Sequence, residues 1–132
     1  MRQSVASTFL DAVARHGTSP ALVDQDRIWT YGELGRLTRA VTEFIGAMSL
    51  RRGDRIALVL QNSAEYVATY FATQLTGCAV VALNTQEPAS VLSRLIAHCE
   101  AGLLFVDARF RDLATEAGMD PSSIIEVLNR GG

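Results

Sequence analysis

All 12 basic residues of this 132-residue chain are arginines, and lysine is absent. That removes several chemistries at once. A P-loop needs Gly-Lys-Ser/Thr, a Schiff base needs a lysine amine, and many phosphoryl-transfer sites stabilise the moving group with lysine. The ten glycines stand singly except at Gly131-Gly132, and no Gly-x-Gly-x-x-Gly follows an apolar run. No backbone nest for a dinucleotide is therefore expected. His16 falls at a helix C-terminus, where a histidine is favoured electrostatically. His98 adjoins Cys99, but a tetrahedral metal site needs three or four ligands, and no other His or Cys is near in sequence. Cys78 and Cys99 read as buried thiols; their spacing is not Cys-x-x-Cys, and no neighbouring cation would activate either as a redox pair. Asp107 follows an apolar strand, at the sheet edge where α/β proteins place ligands, so it is the best isolated candidate for a polar site. The competing reading, and the favoured one, makes Asp107 the cap of a helix starting at Ala108 or Arg109. No serine lies in a nucleophile-elbow sequence. The residues thus assign no catalytic, cofactor-binding or metal-ligating position.

The elements around these residues alternate between helical and strand-like apolar periods, which is an α/β signature. Val5 to Arg15 predicts a helix stopped by His16-Gly17, within an amphipathic segment over residues 1–17. Residues 21–24 and 28–30, joined by Gln25-Asp26-Arg27, predict a short antiparallel hairpin. Thr30 and Glu33 form a capping box for a long helix whose inner face is Leu34, Leu37, Val41, Phe44, Ile45 and Met48. Arg39 and Glu43, four apart, support its wet side. Arg51-Arg52-Gly53-Asp54 is a turn before a buried strand over residues 55–60. Asn62 and Glu65 repeat the capping arrangement for a second long helix, with Tyr66, Val67, Tyr70, Phe71 and Leu75 inward and Gly77 as its left-handed stop. Residues 79–83 form a second buried strand. Pro88 opens a helix carrying the stripe Val91, Leu92, Leu95, Ile96 and Cys99. Strands over residues 103–106 and 124–128 flank a weaker helix over 109–117. The expected fold is α/β: a mainly parallel sheet flanked by helices and joined by right-handed crossovers, with a short N-terminal antiparallel hairpin.

Composition sets broad limits. At 132 residues, 48% apolar and 20% charged, the chain is expected to form a single soluble α/β domain. A net charge of -2 argues against nucleic-acid partners, and no apolar run is long enough for a membrane span. The first 17 residues lack a signal peptide's unbroken apolar core, so the cytoplasm is the expected compartment.

Two stretches, Trp29-Thr30-Tyr31-Gly32-Glu33-Leu34 and Leu75-Thr76-Gly77-Cys78-Ala79-Val80-Val81-Ala82-Leu83-Asn84, resemble the opening of the adenylate-forming ligases. That family comprises acyl-CoA synthetases, peptide-synthetase adenylation domains and luciferase. Thr30, Tyr31, Glu33 and Leu34 match a Thr-Tyr-x-Glu-Leu element. Thr76-Gly77 and Leu83-Asn84 match an Ala-Gly-x-x-x-x-Pro-Leu-Asn-like element, with Ala82 where proline is usual. Asn62 and the aromatic helix after it resemble the segment between, and the Leu83-Asn84 ending is closer to acyl-CoA synthetases.

The resemblance implies the first part of the family's large domain. For an intact member it implies ATP, magnesium and CoA, with a carboxylate activated to an acyl-adenylate and passed to CoA. The family's working residues are a Ser/Thr/Gly-rich loop with lysine, an aromatic-Thr-Glu element, a ribose-binding aspartate and a lysine in a C-terminal lid. None has a counterpart in this chain, so no family site residue is carried over. The leading expectation is an N-terminal segment of an acyl-CoA-synthetase-like ligase, inactive alone as a truncated or split half. It would associate with itself or with a complementary ligase polypeptide. The alternative is a non-catalytic interaction or regulatory module that keeps the scaffold.

Overall fold

The computed structural model describes residues 4–128. The alternating pattern yields, in chain order, α1 (Val5–Arg15), β1 (Pro20–Asp24), β2 (Arg27–Thr30), α2 (Tyr31–Gly46) and β3 (Arg55–Val59). Then come α3 (Ala64–Leu75), β4 (Ala79–Ala82), α4 (Ala89–His98), β5 (Leu103–Asp107), α5 (Arg111–Glu116) and β6 (Ile124–Val127), with short 3-10 turns before α5 and β6. Of the amphipathic segment expected over residues 1–17, residues 1–3 lie outside the described residues. Among the described residues no helix is long and apolar enough to cross a membrane.

The chain divides into two compact units: one holds α1, the β1–β2 hairpin, α2 and α3, the other the remaining strands and helices. In the first unit, local chemistry sets the helix starts. Ser4 Oγ accepts the Ser7 N–H at 3.0 Å at the head of α1. At α2 the capping box is complete: Thr30 Oγ1 accepts the Glu33 N–H at 3.1 Å, and Glu33 Oε1 accepts the Thr30 N–H at 2.9 Å. Arg27 pairs with Glu33 at 3.2 Å and stacks over the Trp29 ring at 3.7 Å. The Thr30 backbone bond, followed by the Arg27 and Thr30 side chains, holds the Glu33 carboxyl below the usual carboxylate range. A carboxyl with a depressed folded-state pKa contributes stability that is present above its unfolded pKa. That stability is lost as pH falls through the folded value. Glu33→Gln should therefore flatten the acid limb of thermal stability below about pH 5, where the unfolded carboxyl begins to protonate. Melting curves from pH 3 to 7 check this, and an unchanged acid limb would remove Glu33 as its source.

The first unit's core gathers Phe9, Leu34, Ala64 and Ala68, with the Phe9 and Phe71 rings stacked at 4.4 Å. On α3 the fully buried positions are Ala64, Ala68, Thr69, Ala72 and Thr73. The expected inner face is thus corrected: the tyrosines, Val67 and Phe71 are half-buried, and Leu75 is exposed. Small side chains let neighbouring backbones approach, so they occupy the tightest face while the rings pack beside it. Phe44 likewise is exposed rather than on α2's inner face, whose buried residues are Leu34, Thr38 and Ile45.

Two α2 glycines leave no room for a side chain. Gly32 donates its N–H to Gly17 O at 2.8 Å, and a Cβ there would stand 2.9 Å from that same oxygen. At Gly35 a Cβ would stand 2.8 Å from Val13 Cγ1. Glycine to alanine within a helix ordinarily stabilises by about 1 kcal/mol. Here the clash should reverse the sign, so Gly32→Ala should destabilise by about 1–3 kcal/mol. Gly46→Ala, where nothing lies within 4 Å, should not destabilise. Thermal melts of both variants test the contrast, and equal shifts would contradict the close approach.

In the second unit β3, β4, β5 and β6 form a parallel sheet in the order β4-β3-β5-β6. The turn before β3 is built as expected: Gly53 has φ +89°, and Asp54 Oδ2 accepts the Arg51 N–H at 2.7 Å. Central β3 and β5 are buried on both faces. Ala57, Val59, Leu104 and Val106 pack with Leu92 and Ile96 of α4, Ala114 of α5 and Ile124 of β6. On the opposite face Ile56, Leu58, Leu103 and Phe105 are buried too. β4 was expected as a buried strand, but it is an edge strand with Ala79 and Ala82 exposed. A short apolar run does not reveal how many neighbours a strand has. Pro88 stands at the N-cap of α4 rather than within its first turn, and on α4 Leu95 is 40% exposed while Leu92 and Ile96 are buried.

Candidate functional site

The sheet order places β4 on one side of β3 and β5 on the other, so the strand order reverses between β3 and β5. Open α/β sheets bind ligands in the crevice at the carboxyl ends of such a pair. Asp107 closes β5 there, 6% exposed. The register pairs Val59 with Val106, so the chain leaving β3 passes beside Asp107. Asp107 Oδ2 accepts the Gln61 N–H at 2.7 Å. This charge-assisted bond ties the exit of β5 to the exit of β3. Asp107 does occupy the N-cap position of the 3-10 turn Ala108–Phe110, but its side chain makes no capping bond. The helix-cap expectation is thus corrected, and the carboxylate serves as a structural acceptor across the strands. The partner is a backbone N–H 46 positions away, and no local spacing signals it.

In the other unit the start of α3 is also satisfied differently from expectation. The cap is Ser63, whose Oγ accepts the Tyr66 N–H at 3.1 Å. Asp24, at the end of β1, accepts the Ala64 N–H at 2.9 Å. Asn62 is exposed, one position too early to cap. Glu65 lies at the second helical position, and its buried Oε2 has no hydrogen-bond partner among the described residues. The Ser63 signal was readable, since a serine three residues before Tyr66 fits a cap as well as Asn62 fits Glu65. The Asp24 bond depends on the hairpin's placement and leaves no mark in local sequence.

The remaining candidates are dispersed. His16 is the exposed C-cap of α1, and His98 is the exposed last residue of α4. Cys78 and Cys99 are free and half-buried rather than fully buried; the Cys99 thiol donates to Ile96 O at 3.2 Å. Among the described residues no three of His, Cys, Asp or Glu converge to hold a metal ion. Burial, then the neighbouring Tyr70, pushes the Tyr66 phenol above its ordinary pKa, so it stays protonated near neutral pH. At the switch point the Gln61 N–H is taken by the Asp107 carboxylate.

The chain matches the family described as AMP-binding enzyme over residues 9–130. It is 32% identical over 121 residues to an L-proline--[L-prolyl-carrier protein] ligase of Streptomyces coelicolor, covering 92% of this chain and 22% of that protein. It is 32% identical to a 3-hydroxybenzoate--CoA ligase of an Aromatoleum species, covering 85% of this chain and 21% of that one. Among solved structures it resembles O-succinylbenzoate coenzyme A synthetase from Bacillus subtilis in complex with AMP, with TM-score 0.76 and 27% identity over 89% of this chain and 30% of that chain. The chain thus spans about a fifth of the length of these two curated relatives.

Proposed function

This chain belongs to the AMP-binding enzyme family, and from that membership we propose that it is the N-terminal structural part of an acyl-CoA-synthetase-like ligase, without adenylating activity by itself. The observation that carries the reading is the combination of span and side chains. The chain matches about a fifth of each of these curated relatives, and it has no lysine with which to hold a transferring phosphoryl group. Its buried carboxylate at the switch point is spent on holding backbone in place.

The substrate class of the assembled enzyme is a carboxylic acid. L-proline and 3-hydroxybenzoate, named in the two relatives, are both carboxylic acids. The ending Leu83-Asn84 supports CoA as the thiol acceptor. The role of this chain's own residues is to hold each unit's scaffold in place: in one unit Asp107 fixes the exit of β3, and in the other Asp24 with Ser63 fixes the start of α3. The complementary partner is a ligase polypeptide or segment carrying the Ser/Thr/Gly-rich loop with lysine. Its compartment is the cytoplasm, where ATP and CoA are both plentiful.

Pyrophosphate release tests the reading. The pure chain with ATP, magnesium and a panel of carboxylates should release none above background. Adding the polypeptide encoded immediately downstream should start release if that frame opens with the lysine-containing loop. Release by the chain alone that disappears on mutating one of its residues would overturn the proposal. An unrelated downstream frame would favour a non-catalytic module built on the same scaffold.

A further inference from the structure

A groove of about 480 Å³ runs along α2 and is left unexplained by the scaffold role. Its walls include Leu10 of α1 and Leu75 of α3, which are 42% and 36% exposed, and its rim carries Arg36, Arg39 and Glu43. All of these belong to one compact unit. On α2, residues 36, 39, 43 and 46 follow one another at helical spacing, share one face and are exposed. The expected support between Arg39 and Glu43 is not made: neither they nor Arg36 form an ion pair among the described residues. The last turn of α2 holds no basic residue, so the negative end of its dipole has no cation of its own. Beside it Gly46 leaves open space, with nothing within 4 Å of where a Cβ would stand.

We propose that this face is a homodimer surface, with α2 of one copy lying antiparallel against α2 of a second copy about a two-fold axis that crosses the face midway between Arg39 and Glu43. The occupant follows from the order of charge along the helix. Positive groups, Arg36 and Arg39, occupy the first half of the face; Glu43 and the helix C-terminus make the second half negative. A two-fold axis reverses that order in the second copy, which is what an isologous contact requires. Arg39 then faces the second copy's Glu43, and Glu43 faces its Arg39. Arg36 reaches over the second copy's Gly46 to the carbonyl end of its α2, where the missing side chain leaves room. Covering Leu10 and Leu75 supplies apolar burial, while the charges set register and exclude the parallel pairing.

Sedimentation of the pure chain across a concentration series tests this. The apparent mass should rise from 14.3 kDa towards twice that value. Arg39→Glu and Glu43→Arg should each raise the midpoint concentration for dimerisation by at least about tenfold, because each places like charges opposite one another twice. The double variant should restore the original midpoint, since opposite charges face again. Leu10→Arg leaves the α2 charges alone and should abolish dimers by filling the groove wall; circular dichroism confirms that each variant is folded. A chain that stays monomeric at every concentration overturns the proposal, as does a dimer indifferent to the single changes or one that the double change fails to rescue.

Discussion

Leu92→Ala should lower the stability of the protein by about 2–5 kcal/mol, the range for emptying a fully buried leucine site. Leu92 has no exposed surface and packs from α4 into the cluster containing Ala57, Val59, Leu104 and Val106 of the central strands. Truncation removes apolar burial and leaves a cavity beside β-branched side chains whose rotamers are stiff, so the site collapses poorly. Leu95→Ala supplies the contrast. Leu95 shares the helix and the same sequence stripe but is 40% exposed. Its truncation should cost no more than about 0.5 kcal/mol, as surface changes generally do. Urea denaturation with both variants separates the two positions by midpoint at constant slope. Similar midpoints would mean that α4 does not present Leu92 to the sheet as described.

Asp107→Ala should destabilise by about 1.5–3 kcal/mol, the range for losing a hydrogen bond to a charged group, here the carboxylate of buried Asp107. The group left behind is the Gln61 N–H, now bonded at 2.7 Å to Asp107 Oδ2. Asp107→Asn keeps an oxygen of the same reach, so it should lose less than the alanine variant. Amide exchange reads the bond itself: Gln61 should exchange faster in the alanine variant and stay largely protected in asparagine. If Gln61 exchanges at the same rate in all three proteins, the tie between β3 and β5 is not what protects that amide.

The sequence by itself determined the elements and the family. Strongly periodic segments gave α2 its register and its complete capping box, because Thr30 and Glu33 solve a local problem within one helical turn. Gly77 and Gly53 were legible for the same reason: each adopts positive φ, at +79° and +89°, where a side chain would be strained. The apolar run of β3 announced double burial correctly. Only tertiary structure decided what lies between distant elements. It made β4 an edge, chose alanines and threonines over tyrosines for the tight face of α3, and exposed Phe44 and Leu95 despite their place in apolar stripes. It also turned Asp107 from a presumed helix cap into an acceptor for Gln61, and brought Asp24 to the head of α3. The division has one physical cause. Caps, turns and periodicity depend on neighbours within a few residues, whereas burial and backbone satisfaction depend on which remote groups the fold brings within about 3 Å.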